Sequence, residues 1–140
     1  MLLNQTAVYG LRAMAALAAL APGERINAAE LSERTGVPQQ YLSKVMRKFV
    51  VARLVSARKG HGGGFCLARA PKDLPLGEVL AAVDIEVDGG CAFGYAACDP
   101  LNPCSLHPLW SRLNQCLDTW AKGCTFADIG PAPTSKRRRG

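Results

Sequence analysis

Three cysteines and a histidine stand within seventeen residues of one another: Cys91, Cys98, Cys104 and His107. Thiolates and imidazole are the ligands that iron–sulfur clusters and zinc take. The chain between them carries Gly89, Gly90, Gly94, Pro100 and Pro103 and shows neither a helical nor a strand period, so its backbone is free to wrap an inorganic core. A loop of this length inside a compact domain is uncommon unless it serves a function. It contains no Cys-x-x-Cys pair, which speaks against the usual zinc ribbon and knuckle spacings. On spacing alone an iron–sulfur cluster ranks first, with zinc and a disulfide or unliganded thiols as equal alternatives behind it. Cys66, Cys116 and Cys124 fall on a strand, on an apolar helix stripe and just past a helix end, and read as small buried hydrophobes.

The elements that hold this loop are legible on both sides. Leu76 to Asp84 reads as a short helix leading in. Beyond the loop, Leu109, Leu113, Cys116, Leu117 and Trp120 recur at helical spacing, predicting a helix of about fifteen residues that ends at Gly123. Together with Trp110 this helix offers more apolar surface than one small domain needs. We expect it to pair with a second copy of the chain, a plain core helix being the alternative.

Charge divides the molecule. Residues 25–72 hold ten Lys or Arg against two Glu, whereas residues 73–135 hold two basic against eight acidic side chains, so the net +6 hides a basic front and an acidic rear. The basic part also carries a recognisable pattern. Asn4 caps an opening helix with Leu11, Met14, Ala15 and Leu17 on one stripe, closed by Pro22 and Gly23. A second helix runs from about Asn27 to Arg34, Thr35-Gly36-Val37 forms a turn, and a third helix, with Pro38 in its first turn, runs to about Val51. Leu42, Val45, Met46 and Phe49 turn one side of that third helix inward and leave Gln39, Gln40, Ser43, Lys44, Arg47 and Lys48 outward. This is a helix-turn-helix whose second member faces a major groove.

Leu54–Ala57 and Phe65–Ala68 then read as two short strands joined by Arg58-Lys59-Gly60-His61-Gly62-Gly63-Gly64. Glycines let backbone approach a phosphate closely, and Arg58 and Lys59 bring charge to the same place. Alone this would be a surface hairpin; directly after a helix-turn-helix it is a wing. The expected fold is therefore mainly α with one small β-hairpin: a winged helix-turn-helix plus a long C-terminal dimerisation helix. We divide the chain into a DNA-binding region, 1–72, a loop and dimerisation region, 73–130, and a disordered basic tail, 131–140, whose Pro and Lys/Arg content cannot support a core.

The succession of motifs resembles the Rrf-two superfamily of bacterial winged-helix regulators, and within it the iron–sulfur-cluster (IscR-like) branch. The matching stretches are Tyr9-Gly10-Leu11-Arg12-Ala13-Met14, Leu31-Ser32-Glu33-Arg34-Thr35-Gly36-Val37 with Tyr41-Leu42, and Gly60-His61-Gly62-Gly63-Gly64-Phe65. The three cysteines, His107 and Leu109-Trp110 complete the order. The resemblance implies a homodimer with crossed long helices and a cluster near the interface, held by Cys91, Cys98 and Cys104 with His107 as the ligand expected of a 2Fe-2S rather than a 4Fe-4S centre. The acidic residue that completes coordination from the opening helix in some branches is missing, since no Asp or Glu precedes Glu24. Cys91 and Cys98 are one residue further apart than in the commonest members, and Lys59 replaces an Arg of many relatives, exchanging a bidentate guanine reader for a point charge.

The sequence thus points to a transcription regulator binding a double-stranded operator as a homodimer, with affinity set by a cluster that senses iron, redox state or nitric oxide. Gln39, Gln40, Tyr41, Ser43 and Lys44 are the expected base readers, Arg47, Arg58 and Lys59 mainly the backbone contacts, and His61 at the wing tip a further expected DNA contact. An enzyme is disfavoured: the chain has two histidines, His61 and His107, and no base beside an activated nucleophile, so no small-molecule substrate is expected. A zinc-stabilised or metal-free winged-helix module is the remaining alternative. Arg12 interrupts the apolar stretch Ala7–Ala21, which is too short to span a bilayer, so we expect no membrane partner and a cytoplasmic location, where thiols stay reduced.

Overall fold

The computed structural model describes residues 3–85 and 101–129. Five helices and one hairpin follow the predicted order: α1 (Gln5–Ala18), α2 (Ala28–Thr35), α3 (Gln39–Val51), β1 (Val55–Arg58), β2 (Gly64–Leu67), α4 (Leu76–Ala82) and α5 (His107–Gly123), with a short 3-10 turn, Pro71–Asp73, before α4. The expected mainly α architecture with a small hairpin is the observed one.

Local chemistry sets the helix boundaries. Asn4 accepts from the Ala7 amide at 2.9 Å and Asn27 from the Glu30 amide at 2.9 Å, each satisfying a donor that its helix leaves unpaired. Gly36 ends α2 in the left-handed region at φ 71°. Two hydroxyls then pin the turn into α3: Ser32 donates to the Val37 carbonyl at 2.6 Å, and Thr35 donates to Leu31 at 2.7 Å. The turn is thus hydrogen-bonded closed, and α3 leaves it in a fixed direction. Pro38 occupies the position just before α3 rather than its first turn.

Leu42, Val45, Met46 and Phe49 of α3 are buried against α1, as their spacing requires. Close approach is possible because α1 presents small residues there. A Cβ placed on Gly10 would lie 3.0 Å from the Phe49 ring. The same core takes in Leu74, Leu76, Val79 and Val83 around α4 and Phe126 beyond α5, so one buried cluster draws on both regions drawn from the sequence. After α5 the chain returns alongside the approach to α4, where Phe126 donates to the Leu74 carbonyl at 3.2 Å and Leu76 to that of Cys124 at 3.0 Å. Arg69, just past the wing, pairs with Glu78 of α4, and that hydrogen bond holds its guanidinium above the ordinary arginine range.

The strands differ from expectation by one residue at each end, because the antiparallel register Val55↔Leu67 to Arg58↔Gly64 extends pairing toward the wing tip. A third segment joins them. Ile26 and Phe65 exchange backbone hydrogen bonds at 3.1 and 2.8 Å, an isolated bridge that ties the α1–α2 connection to the hairpin. Helix α4 stops at Ala82 instead of Asp84, since Asp84 has φ 62°, which a right-handed helix does not allow. Positions 86–100, with Cys91 and Cys98, and the tail 131–140 lie outside the described residues.

Candidate nucleic-acid interface and cysteine site

All nine residues expected to meet DNA are exposed: Gln39, Gln40, Tyr41, Ser43, Lys44, Arg47, Arg58, Lys59 and His61. They lie along the outer face of α3 and on the wing. Between these two elements runs a groove of about 390 Å³, walled by Ser43, Arg47 and Val50 on one side and by Ala57, Arg58, Lys59, Gly64 and Phe65 on the other. Arg47, Arg58 and Lys59 therefore converge on one concavity, a geometry suited to an anionic backbone. Gln39, Gln40, Tyr41 and Lys44 stand outside that groove, nearer the start of α3, and His61 is at the wing tip.

The reading helix is supported from behind. Tyr41 meets Tyr9 edge to face with ring centroids 5.8 Å apart, and Tyr9 accepts from Gln5 Nε2 at 2.7 Å, so Tyr41 is braced by α1 while 46% exposed. Ser43 donates to the Gln39 carbonyl at 3.1 Å.

The wing is held by a residue that sequence reasoning did not select. Arg25 donates to the carbonyls of Ser56 (3.4 Å) and Gly64 (3.1 Å) and to Ser56 Oγ (3.2 Å), clasping both strands at once. A planar guanidinium with several fixed donors is suited to that task. Its only sequence signal is a lone cation directly before Ile26, the residue that bridges to Phe65. The wing glycines are required individually. A Cβ on Gly63 would sit 2.4 Å from the Arg58 carbonyl oxygen, and one on Gly64 would sit 2.6 Å from that of Ile26, with φ at +124°. Lys48, outward-facing but not among the expected contacts, forms an ion pair with Asp84 at 2.7 Å.

Of the four expected metal ligands, Cys104 and His107 are within the described residues. Cys104 is half-buried, His107 opens α5, and its backbone amide donates to the Cys104 carbonyl at 3.0 Å, so the two side chains start from a single turn. Among the described residues no three His, Cys, Asp or Glu side chains are grouped as a metal site. Cys66, Cys104, Cys116 and Cys124 are free thiols. The expectation that Cys66, Cys116 and Cys124 are buried is corrected: Cys66 and Cys124 are half-buried and Cys116 is exposed. For Cys116 the reason is α5 itself, which buries Ala121 but leaves Leu109 64% and Leu113 36% exposed along the stripe that contains Cys116.

A capped helix-turn-helix followed by a glycine-tipped, cation-bearing hairpin defines a winged-helix DNA-binding protein. The family model for Rrf2, described as an iron-dependent transcriptional regulator, matches residues 3–131. The chain belongs to the Rrf2 family of transcriptional regulators. It is 31% identical over 121 residues to the HTH-type transcriptional regulator IscR of Vibrio atlanticus, an alignment spanning 86% of this chain and 70% of that protein. It is 30% identical to IscR of Escherichia coli, with 86% and 75% covered. Among solved structures, IscR of T. potens superposes with a TM-score of 0.72 at 21% identity, covering 90% of this chain and 83% of that one. CymR, the global cysteine regulator of B. subtilis, gives 0.77 at 18% identity, with 90% and 93% covered. The relatives are transcriptional regulators, and the chain is a regulator rather than an enzyme. No helix among the described residues is long and apolar enough to cross a membrane.

Proposed function

We propose that this regulator binds its operator as a homodimer and that its affinity is controlled by an iron–sulfur cluster held by Cys91, Cys98, Cys104 and His107. The DNA-binding part of this reading is carried by the convergence of Arg47, Arg58 and Lys59 on the groove between α3 and the wing. In it, Gln39, Gln40, Tyr41, Ser43 and Lys44 read base edges, the three cations hold phosphates, and His61 meets the duplex at the wing tip. Residues 1–72 form the reading region, 73–130 the sensing and pairing region, and 131–140 a basic tail.

The cluster part is supported by donor chemistry. Three thiolates with one imidazole are an iron–sulfur ligand set, and Cys104 and His107 already share one turn at the head of α5. The histidine favours a 2Fe-2S over a 4Fe-4S centre. When bound, such a cluster supplies a centre sensitive to iron supply, oxidation and nitric oxide. The protein's contribution is geometric: His107 is the first residue of α5, so a change of ligation there acts at the end of the helix offered to the partner. The homodimer is supported by the uncovered Leu109, Leu113 and Cys116 stripe, apolar surface that a second copy would remove from water.

Purification without air, followed by iron and sulfide analysis, absorption spectroscopy and operator binding with and without cluster, tests the proposal. Bound iron and sulfide, a spectrum altered in His107→Ala and abolished in Cys98→Ala, and different operator affinities of the two forms are expected. A protein free of sulfide and iron, or equal affinities of the two forms, would remove the sensor and leave the reading surface.

A further inference from the structure

The ion pair between Lys48 and Asp84 joins two parts of the molecule that have separate duties. Lys48 is on α3, one turn after Lys44 and adjacent in sequence to Arg47, on the exposed side of the reading helix. Asp84 lies just past the end of α4, 36 residues away, and its carboxylate reaches Lys48 Nζ at 2.7 Å. It is 82% exposed, so no burial forces the contact. An isolated, exposed pair of this kind adds little to stability, which makes it easily broken.

The backbone at Asp84 is unusual as well. Its φ of +62° lies in the left-handed region that glycine, asparagine and aspartate enter more readily than other residues, and its amide is tied to the Ala81 carbonyl at 3.1 Å. The aspartate is therefore aimed at α3 by a specific turn. That turn stands two residues before position 86, where the chain enters the stretch bearing Cys91 and Cys98.

We propose that Asp84 is an acidic clip that withholds Lys48 from DNA, and that Lys48 exchanges this carboxylate for a phosphate when the clip is released. The inference rests on the reading of the α3 face as the DNA contact. Lysine suits an exchange of partners: its ammonium is a point charge on a flexible four-carbon stem, without the fixed geometry that a guanidinium would demand. The clip gives the sensing half of the molecule a direct hold on the reading helix, without any movement of the core between them.

Asp84→Asn is the discriminating variant, because asparagine accepts a positive φ and keeps the side-chain shape. With the full chain and operator DNA, binding is measured against salt for the wild type, Asp84→Asn, Lys48→Met and the double variant. If Lys48 changes partner, Asp84→Asn tightens binding about fivefold per protomer at 0.1 M salt and steepens the logarithmic salt dependence by about one per protomer. The same substitution then gains less than twofold in the Lys48→Met background. An equal gain in both backgrounds means that Asp84 acts only through its long-range field, and no gain in either means that the pair is idle; each overturns the proposal. Arg47→Ala is measured in parallel. If it leaves DNA binding unchanged, the reading of α3 has failed; if it weakens binding while Asp84→Asn is silent, the clip alone has failed. Thermal unfolding confirms that each variant remains folded.

Discussion

Arg25 and Gly64 show how the wing depends on single side chains and on their absence. Arg25 reaches three acceptors on the two strands. Replacing it by methionine keeps the aliphatic stem and removes the donors, leaving Ser56 and Gly64 to find water. Because the site is only part-buried, we expect a loss of about 1–2 kcal/mol in urea unfolding. A weakened operator affinity should accompany it, since Arg58 and Lys59 are placed by the strands that Arg25 clasps. Gly64 carries the opposite requirement. Alanine there would meet the Ile26 carbonyl oxygen at 2.6 Å with φ at +124°, so the bridge between Ile26 and Phe65 must open. The expected cost is about 2–4 kcal/mol. Unfolding no easier than that of the wild type would mean that the wing does not need this close approach.

At the scale of elements, what could be read in the sequence was what is local. The stripe Leu42, Val45, Met46 and Phe49 fixes the inner side of α3 because a 3.6-residue period leaves no other solution, and Asn4 marks the start of α1 because its side chain can replace a missing acceptor. Asn27 works in the same way for α2, and Asn27→Ala should cost about 1 kcal/mol in chemical denaturation. No loss would imply that the tertiary contacts of α2 alone set its start. The Ile26 bridge, the Arg25 clasp and the Lys48–Asp84 pair were not legible, since each joins residues between 31 and 39 positions apart and no periodicity reports such pairings. Strand ends and the stop of α4 were misplaced by one or two residues for a related reason: they are decided by partner strands and by a positive φ, not by composition. Cys116 is exposed although it falls on an apolar stripe, because helical period alone does not say whether a neighbouring element covers the stripe.

For the molecule as a whole, charge segregation and the uncovered face of α5 combine into one prediction. The basic segment 25–72, with ten Lys or Arg against two Glu, supplies a field that favours an anionic duplex. Three cations per protomer, Arg47, Arg58 and Lys59, line the groove. In the proposed homodimer, six such phosphate contacts would give a slope of log affinity against log salt of about −5. Lys59→Ala should make that slope shallower by about two, one for each protomer, and weaken binding to specific and random DNA alike. A loss confined to the operator would instead make Lys59 a base reader. Carboxylates at Leu109 and Leu113 test the other half. Leu109→Glu with Leu113→Glu places charge on a face that is already exposed in the single chain, so the protomer should stay folded while sedimentation shows a monomer. That monomer should grip one half-site with a slope of about −3, and the dependence of affinity on half-site spacing should vanish. A double variant that still sediments as a dimer would show that pairing runs through another surface, and a monomer that keeps the full slope would show that the phosphate contacts are not divided between two protomers.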